Sequence, residues 1–137
     1  MGFDIKKEYG TDEKKEVEGV WETLGEGCKV LVARTGNPKY EKVYNRITKP
    51  YRQQIKRDSL SEEKARDITI QLIAESVLLD WQGIEEDGKP VKYSKKEAIR
   101  LLTKYKDFRN AVSELAGSIA LFKSQEDEEL EKNLPTT

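Results

Sequence analysis

The sequence predicts a single α+β domain, predominantly α, in which an N-terminal β-hairpin packs on a bundle of four or five helices. Three observations predict it. Val17 to Leu24 and Cys28 to Arg34 are β-rich segments on either side of Gly25-Glu26-Gly27, whose glycines can take positive φ. From Asn37 onward, apolar residues recur at helical spacing behind good caps. A length of 137 residues suits one hydrophobic core. The domain is assigned to residues 1–133, with a mobile N-terminal segment, and 134–137 to a disordered tail.

In chain order, Phe3 to Lys7 reads as a short strand and the charged residues to Glu16 as a mobile link. Whether that strand joins the hairpin as a third member or leaves it a two-stranded flap stays open. In the hairpin, Val20, Glu22 and Leu24 alternate against Trp21 and Thr23, while Val30 to Ala33 is apolar without a break, so the second strand should be the more buried. Asn37-Pro38 starts a helix whose stripe is Tyr40, Val43, Tyr44, Ile47, Tyr51 and Ile55. Pro50 requires a kink, or two short helices meeting near Lys49. Ser61 caps a helix expected to reach about Leu79, apolar most of the way round and therefore central. The connection from Asp80 to Pro90 is acidic, contains glycine and carries Trp81. Ser94 with Glu97 forms a capping box for a helix from Lys95 to about Lys104. Asp107 caps a last helix with the stripe Phe108, Ala111, Val112, Leu115, Ile119 and Phe122, continuing as a solvated helix over 126–132.

Composition disfavours several classes of function. The chain has no histidine, the commonest general base and metal ligand near neutral pH, and nothing local places a base beside Cys28, Ser76 or Ser113. No enzyme activity, catalytic residue, cofactor or metal is expected. Glu85-Glu86-Asp87 lacks the alternating acids of a calcium loop and reads as a solvated turn. Gly25-Glu26-Gly27 has Val30 where a dinucleotide fingerprint needs a third glycine. A single cysteine fits a reducing compartment and a small core residue. No apolar run reaches the about 20 residues of a membrane span, so no membrane partner is expected.

Charge is balanced in sum, with 25 Lys and Arg against 26 Asp and Glu, yet unevenly placed. Arg34 to Arg57 holds eight basic residues and one acid, whereas Glu126 to Glu131 holds five acids and no base. Lysines and arginines interleaved with Tyr40, Tyr44 and Tyr51 resemble a phosphate-tracking surface, but the tyrosines share the stripe with Val43, Ile47 and Ile55, which makes them core residues first. Near-zero net charge argues further against nucleic acid, and an acidic protein segment suits the same face better. Trp81 has two compatible readings, a hinge packed over the core and an anchor for a partner.

Taken together, Phe3, Thr11-Asp12, Glu18-Gly19-Val20-Trp21, Val32-Ala33-Arg34, Asn37-Pro38-Lys39-Tyr40, Ala74 to Trp81, Asp87-Gly88-Lys89 and Tyr93-Ser94 resemble the tail assembly chaperones of tailed bacteriophages. The resemblance runs from Phe3 to Asn133. It implies a non-enzymatic helper that binds the tape-measure protein and assists the tail tube protein, acts in the host cytoplasm and is absent from the mature virion. Self-association is compatible with it, and the alternatives are a structural tail or head component retained in the virion and, after that, a nucleic-acid-binding regulatory protein. Tyr40, Tyr44, Arg52, Trp81 and Phe122 are the residues expected at a partner-binding groove, with the basic helix as its rim.

Overall fold

The computed structural model describes residues 2–124. The extension expected at 126–132 and the tail expected at 134–137 lie outside them. The chain opens with two short helices, α1 (Ile5–Tyr9) and α2 (Glu13–Glu18). Strands β1 (Val20–Gly25) and β2 (Cys28–Val32) follow, then α3 (Pro38–Thr48), a 3-10 turn (Lys49–Tyr51), α4 (Arg52–Lys56) and α5 (Glu62–Ser76). After these come β3 (Leu78–Gln82), the two-residue strands β4 (Glu85–Glu86) and β5 (Lys89–Pro90), α6 (Lys95–Lys104), α7 (Lys106–Gly117) and a 3-10 turn (Ile119–Phe122).

The expected fold class is overturned. The third strand comes from the middle of the chain: β3 pairs antiparallel with β2 in a sheet of order β1-β2-β3. With helix at 58%, strand at 16% and a second small sheet of β4 and β5, the domain is mixed, rather than a helical bundle with an N-terminal hairpin beside it. Phe3 to Lys7, expected as a strand, lies instead in and around α1, because the Asp4 carboxylate accepts from the Lys6 and Lys7 amides and caps a helix. Asp12 does the same for α2 through Lys14 and Lys15, replacing the expected mobile link. The helix expected to reach Leu79 stops at Ser76, and the apolar run continues as β3.

Strand pairing sets the two faces of the sheet. Val30 and Val32 on β2, with Leu78 and Trp81 on β3, face a core completed by α5, α6 and α7. Helix α5 contributes Ile70, Ile73 and Ala74, α6 contributes Ala98, Leu101 and Leu102, and α7 contributes Val112 and Ala116. On the other face Trp21 stands opposite Leu31, and Trp21 is exposed.

Several local expectations match the elements. Asn37 caps α3, its Oδ1 accepting from the Tyr40 amide at 3.0 Å, while its buried Nδ2 donates to the Arg34 and Ser76 carbonyls and ties α3 to the end of α5. Pro50 gives the two-helix version, with α3 and α4 joined by the 3-10 turn. Ser61 and Ser94 cap α5 and α6. Asp107 does not cap α7; it lies in the first turn, and Tyr105 at the cap position offers no side-chain bond. The ends of the described chain meet, with the Asp12 amide donating to the Phe122 carbonyl at 2.8 Å and the Lys15 ammonium to the Lys123 carbonyl at 3.2 Å.

Candidate functional site

The residues expected to share a groove are scattered. Trp81 and Phe122 are interior: Trp81 is 4% exposed and Phe122 is fully buried. The Trp81 indole Nε1 donates to the Val91 carbonyl at 2.7 Å, and its ring meets Tyr93 edge-on with centroids 5.0 Å apart. That arrangement satisfies the one polar atom of the indole and holds the 83–91 connection against the core. Tyr40 is half-buried against the core. Only Tyr44 and Arg52 are exposed, on α3 and at the start of α4. Phe122 was placed in a continuous helical stripe; in the structure α7 ends at Gly117 and a 3-10 turn tucks Phe122 inward.

A different groove does form, at the end of the sheet. Leu24 at the end of β1, Cys28 at the start of β2, Ile84 after β3, Leu101 on α6, Tyr105 between α6 and α7 and Phe108 on α7 surround a cavity of about 450 Å³. Glu85, Glu86 and Asp87 form its lip. Two tight turns build the wall. Gly83 sits at φ 80°, and a Cβ there would lie 1.9 Å from the Gly27 carbonyl oxygen, so the β1–β2 turn and the end of β3 approach backbone to backbone. Asp87 and Gly88, at φ 53° and 76°, form the two-residue turn between β4 and β5, with the positive φ at both positions that a type I′ turn requires.

Glu86 fixes this hairpin to the helices. Its carboxylate accepts from the Tyr105 hydroxyl at 2.5 Å, from Arg100 Nη1 at 2.9 Å and from the Lys104 ammonium at 3.3 Å. The Tyr105 hydrogen bond first, then Arg100 and Lys104, hold the carboxyl down to about 2. Glu97 completes the cluster: its carboxylate turns to Arg100 Nε at 2.6 Å, so the Glu half of the capping box serves this network. Glu85 and Asp87 enter no ion pair among the described residues and leave the lip acidic.

This chemistry suits binding. Burial pushes the Cys28 thiol up, away from the thiolate a nucleophile needs. Glu85, Glu86 and Asp87 do not converge, and no group of three or more such ligands is arranged to hold a metal among the described residues. The basic helix is partly neutralised as well. Arg46 pairs with Glu75 at 2.6 Å, and Lys95 reaches the same carboxylate at 3.3 Å. Burial raises the Glu75 pKa, but hydrogen bonds from Arg46, Gln71 and Lys95 outweigh it and leave the carboxyl below its usual range. Lys64 lies over the Tyr51 ring, 5.2 Å from its centroid, so that aromatic face is occupied.

No described helix is long and apolar enough to cross a membrane. No curated protein and no solved structure matches the chain. A family model described as YdaY prophage protein matches residues 35–133, a stretch that begins just before α3 and contains most of the groove. The chain therefore belongs to the YdaY prophage protein family and is a phage-associated protein.

Proposed function

We propose that this phage protein is a non-enzymatic assembly chaperone that holds an apolar helical segment of the tape-measure protein and assists tail tube assembly in the host cytoplasm. The observation that carries the reading is the groove, an apolar floor of Leu24, Ile84, Leu101 and Phe108 beneath a charged lip. At about 450 Å³ it has the size to take a few aliphatic side chains projecting from one face of an amphipathic helix. The resemblance to tail assembly chaperones and the prophage family support the same context.

The physical logic is modest affinity. An elongated helical client exposes apolar stripes before it is packed into a tube, and an open groove shields part of such a stripe while the acidic lip keeps the pair in solution. Release requires only that the tube protein offer a larger apolar surface. The test is co-expression with overlapping fragments of the tape-measure protein. One fragment should become soluble and co-purify, and Ile84→Lys, which puts a charge in the groove, should abolish its capture while Tyr44→Ala leaves it unchanged. Equal capture by the Ile84 variant would remove the groove from the mechanism. Recovery of the chain in stoichiometric amounts from purified virions would replace the helper by a structural component.

A further inference from the structure

The acidic lip has a counterpart elsewhere on the same chain. Every residue from 52 to 59 is exposed, so α4 and the turn after it form a projecting corner. Ile55 is 38% exposed on that corner, with Arg52 one turn before it and Lys56 and Arg57 just after it. None of these cations enters an ion pair among the described residues. The corner therefore presents one aliphatic side chain flanked by three cations outside any ion pair, with Asp58 in the turn as its one acid. The groove presents the complement, an apolar cavity whose lining carries acids and no base.

We propose that the chain self-associates by inserting the Ile55 corner of one copy into the groove of another, with Arg52 and Lys56 facing Glu85 and Asp87. The occupant is a second copy because this chain itself carries the matching chemistry. Glu86 is already committed to Tyr105, Arg100 and Lys104, so Glu85 and Asp87 are the acids left to face an incoming cation. The contact joins unlike surfaces, so a pair keeps one free corner on one copy and one free groove on the other. It uses the groove that the client-binding reading also uses, so the two occupants compete for it, but it forms without any other protein and is tested on the chain alone.

Sedimentation velocity across a concentration series, at low and at high salt, tests it. Two variants are needed: Arg52→Gln with Lys56→Gln, and Glu85→Gln with Asp87→Asn, all at exposed positions. The wild type should associate, more weakly at high salt. Each variant alone should weaken association about tenfold or more. Mixing the two should restore a discrete 1:1 pair, because the intact corner of one fits the intact groove of the other. Circular dichroism confirms that each variant is folded. A wild type that remains monomeric throughout the series, or an equimolar mixture of folded variants that stays monomeric, overturns the proposal. Neither result bears on capture of a tape-measure fragment, which is measured separately.

Discussion

Two tryptophans flank the same central strand and live in opposite worlds. Trp81 on β3 pairs with Val30, lies on the inner face of the sheet and is 4% exposed; Trp21 on β1 pairs with Leu31, lies on the outer face and is 43% exposed. Adjacent positions on β2 thus decide opposite fates, because successive side chains on a strand point to opposite faces. The inner face is closed by helices. The outer face has no such cover from the core helices, and its tryptophan is expected to contribute less to stability than Trp81.

The comparison breaks most visibly at Trp81. Trp81→Ala should destabilise the fold by about 3–5 kcal/mol, since it opens a large cavity and frees the Val91 carbonyl; urea denaturation measures it, and a loss near that of a surface site would contradict the inner-face assignment. Next is the joint between α3 and the sheet layer. Asn37→Ala removes a cap and the side-chain donor to the Ser76 carbonyl, while the Arg34 carbonyl keeps only the Asn37 backbone amide; the expected loss is about 2 kcal/mol by the same measurement.

A pH series sharpens the picture at the groove. The Glu86 carboxyl is held at about 2 in the folded chain against 4.5 as its ordinary value. A depressed folded-state pKa gives stabilisation that is complete above 4.5 and lost as pH falls from there toward about 2. Glu86→Gln should flatten that part of the acid limb, with the part due to Glu75 remaining. An acid limb unchanged by the substitution would show that the cluster is not formed in solution. The smallest effect belongs to Trp21→Ala, within about 1 kcal/mol. A loss as large as that of Trp81→Ala would mean that the outer face is covered in solution.

What the sequence made legible was the set of caps and punctuation. Asn37, Ser61 and Ser94 mark boundaries that a side-chain cap enforces, Pro50 marks one by the donor it lacks, and the structure places a boundary at each. What it hid was β3. From Ile68 to Trp81 the chain is rich in apolar residues with no glycine or proline between, and a continuous apolar run does not distinguish buried helix from buried strand. The need of β2 for a second partner settles the choice, and that need is visible only in three dimensions. The two N-terminal helices are signalled by Asp4 and Asp12 as caps, a signal masked by the density of charge around them and by helices too short to show an apolar stripe. Asp87-Gly88 carried a hairpin signal, and the two-residue strands around it were too short to show alternation. The groove could not be read at all, because Leu24, Ile84, Leu101 and Phe108 come from separate segments. The expected site drew Tyr40, Tyr44, Arg52, Trp81 and Phe122 from several segments by residue type; the candidate groove joins residues that share an end of the sheet.

The hydrogen bond from Asp12 to Phe122 sets an order of events at the ribosome. The α2 cap finds its backbone acceptor far downstream, in the turn that follows α7. On a growing chain α2 therefore has to wait for that turn to be made before it can complete this contact, so an element synthesised early is fastened late.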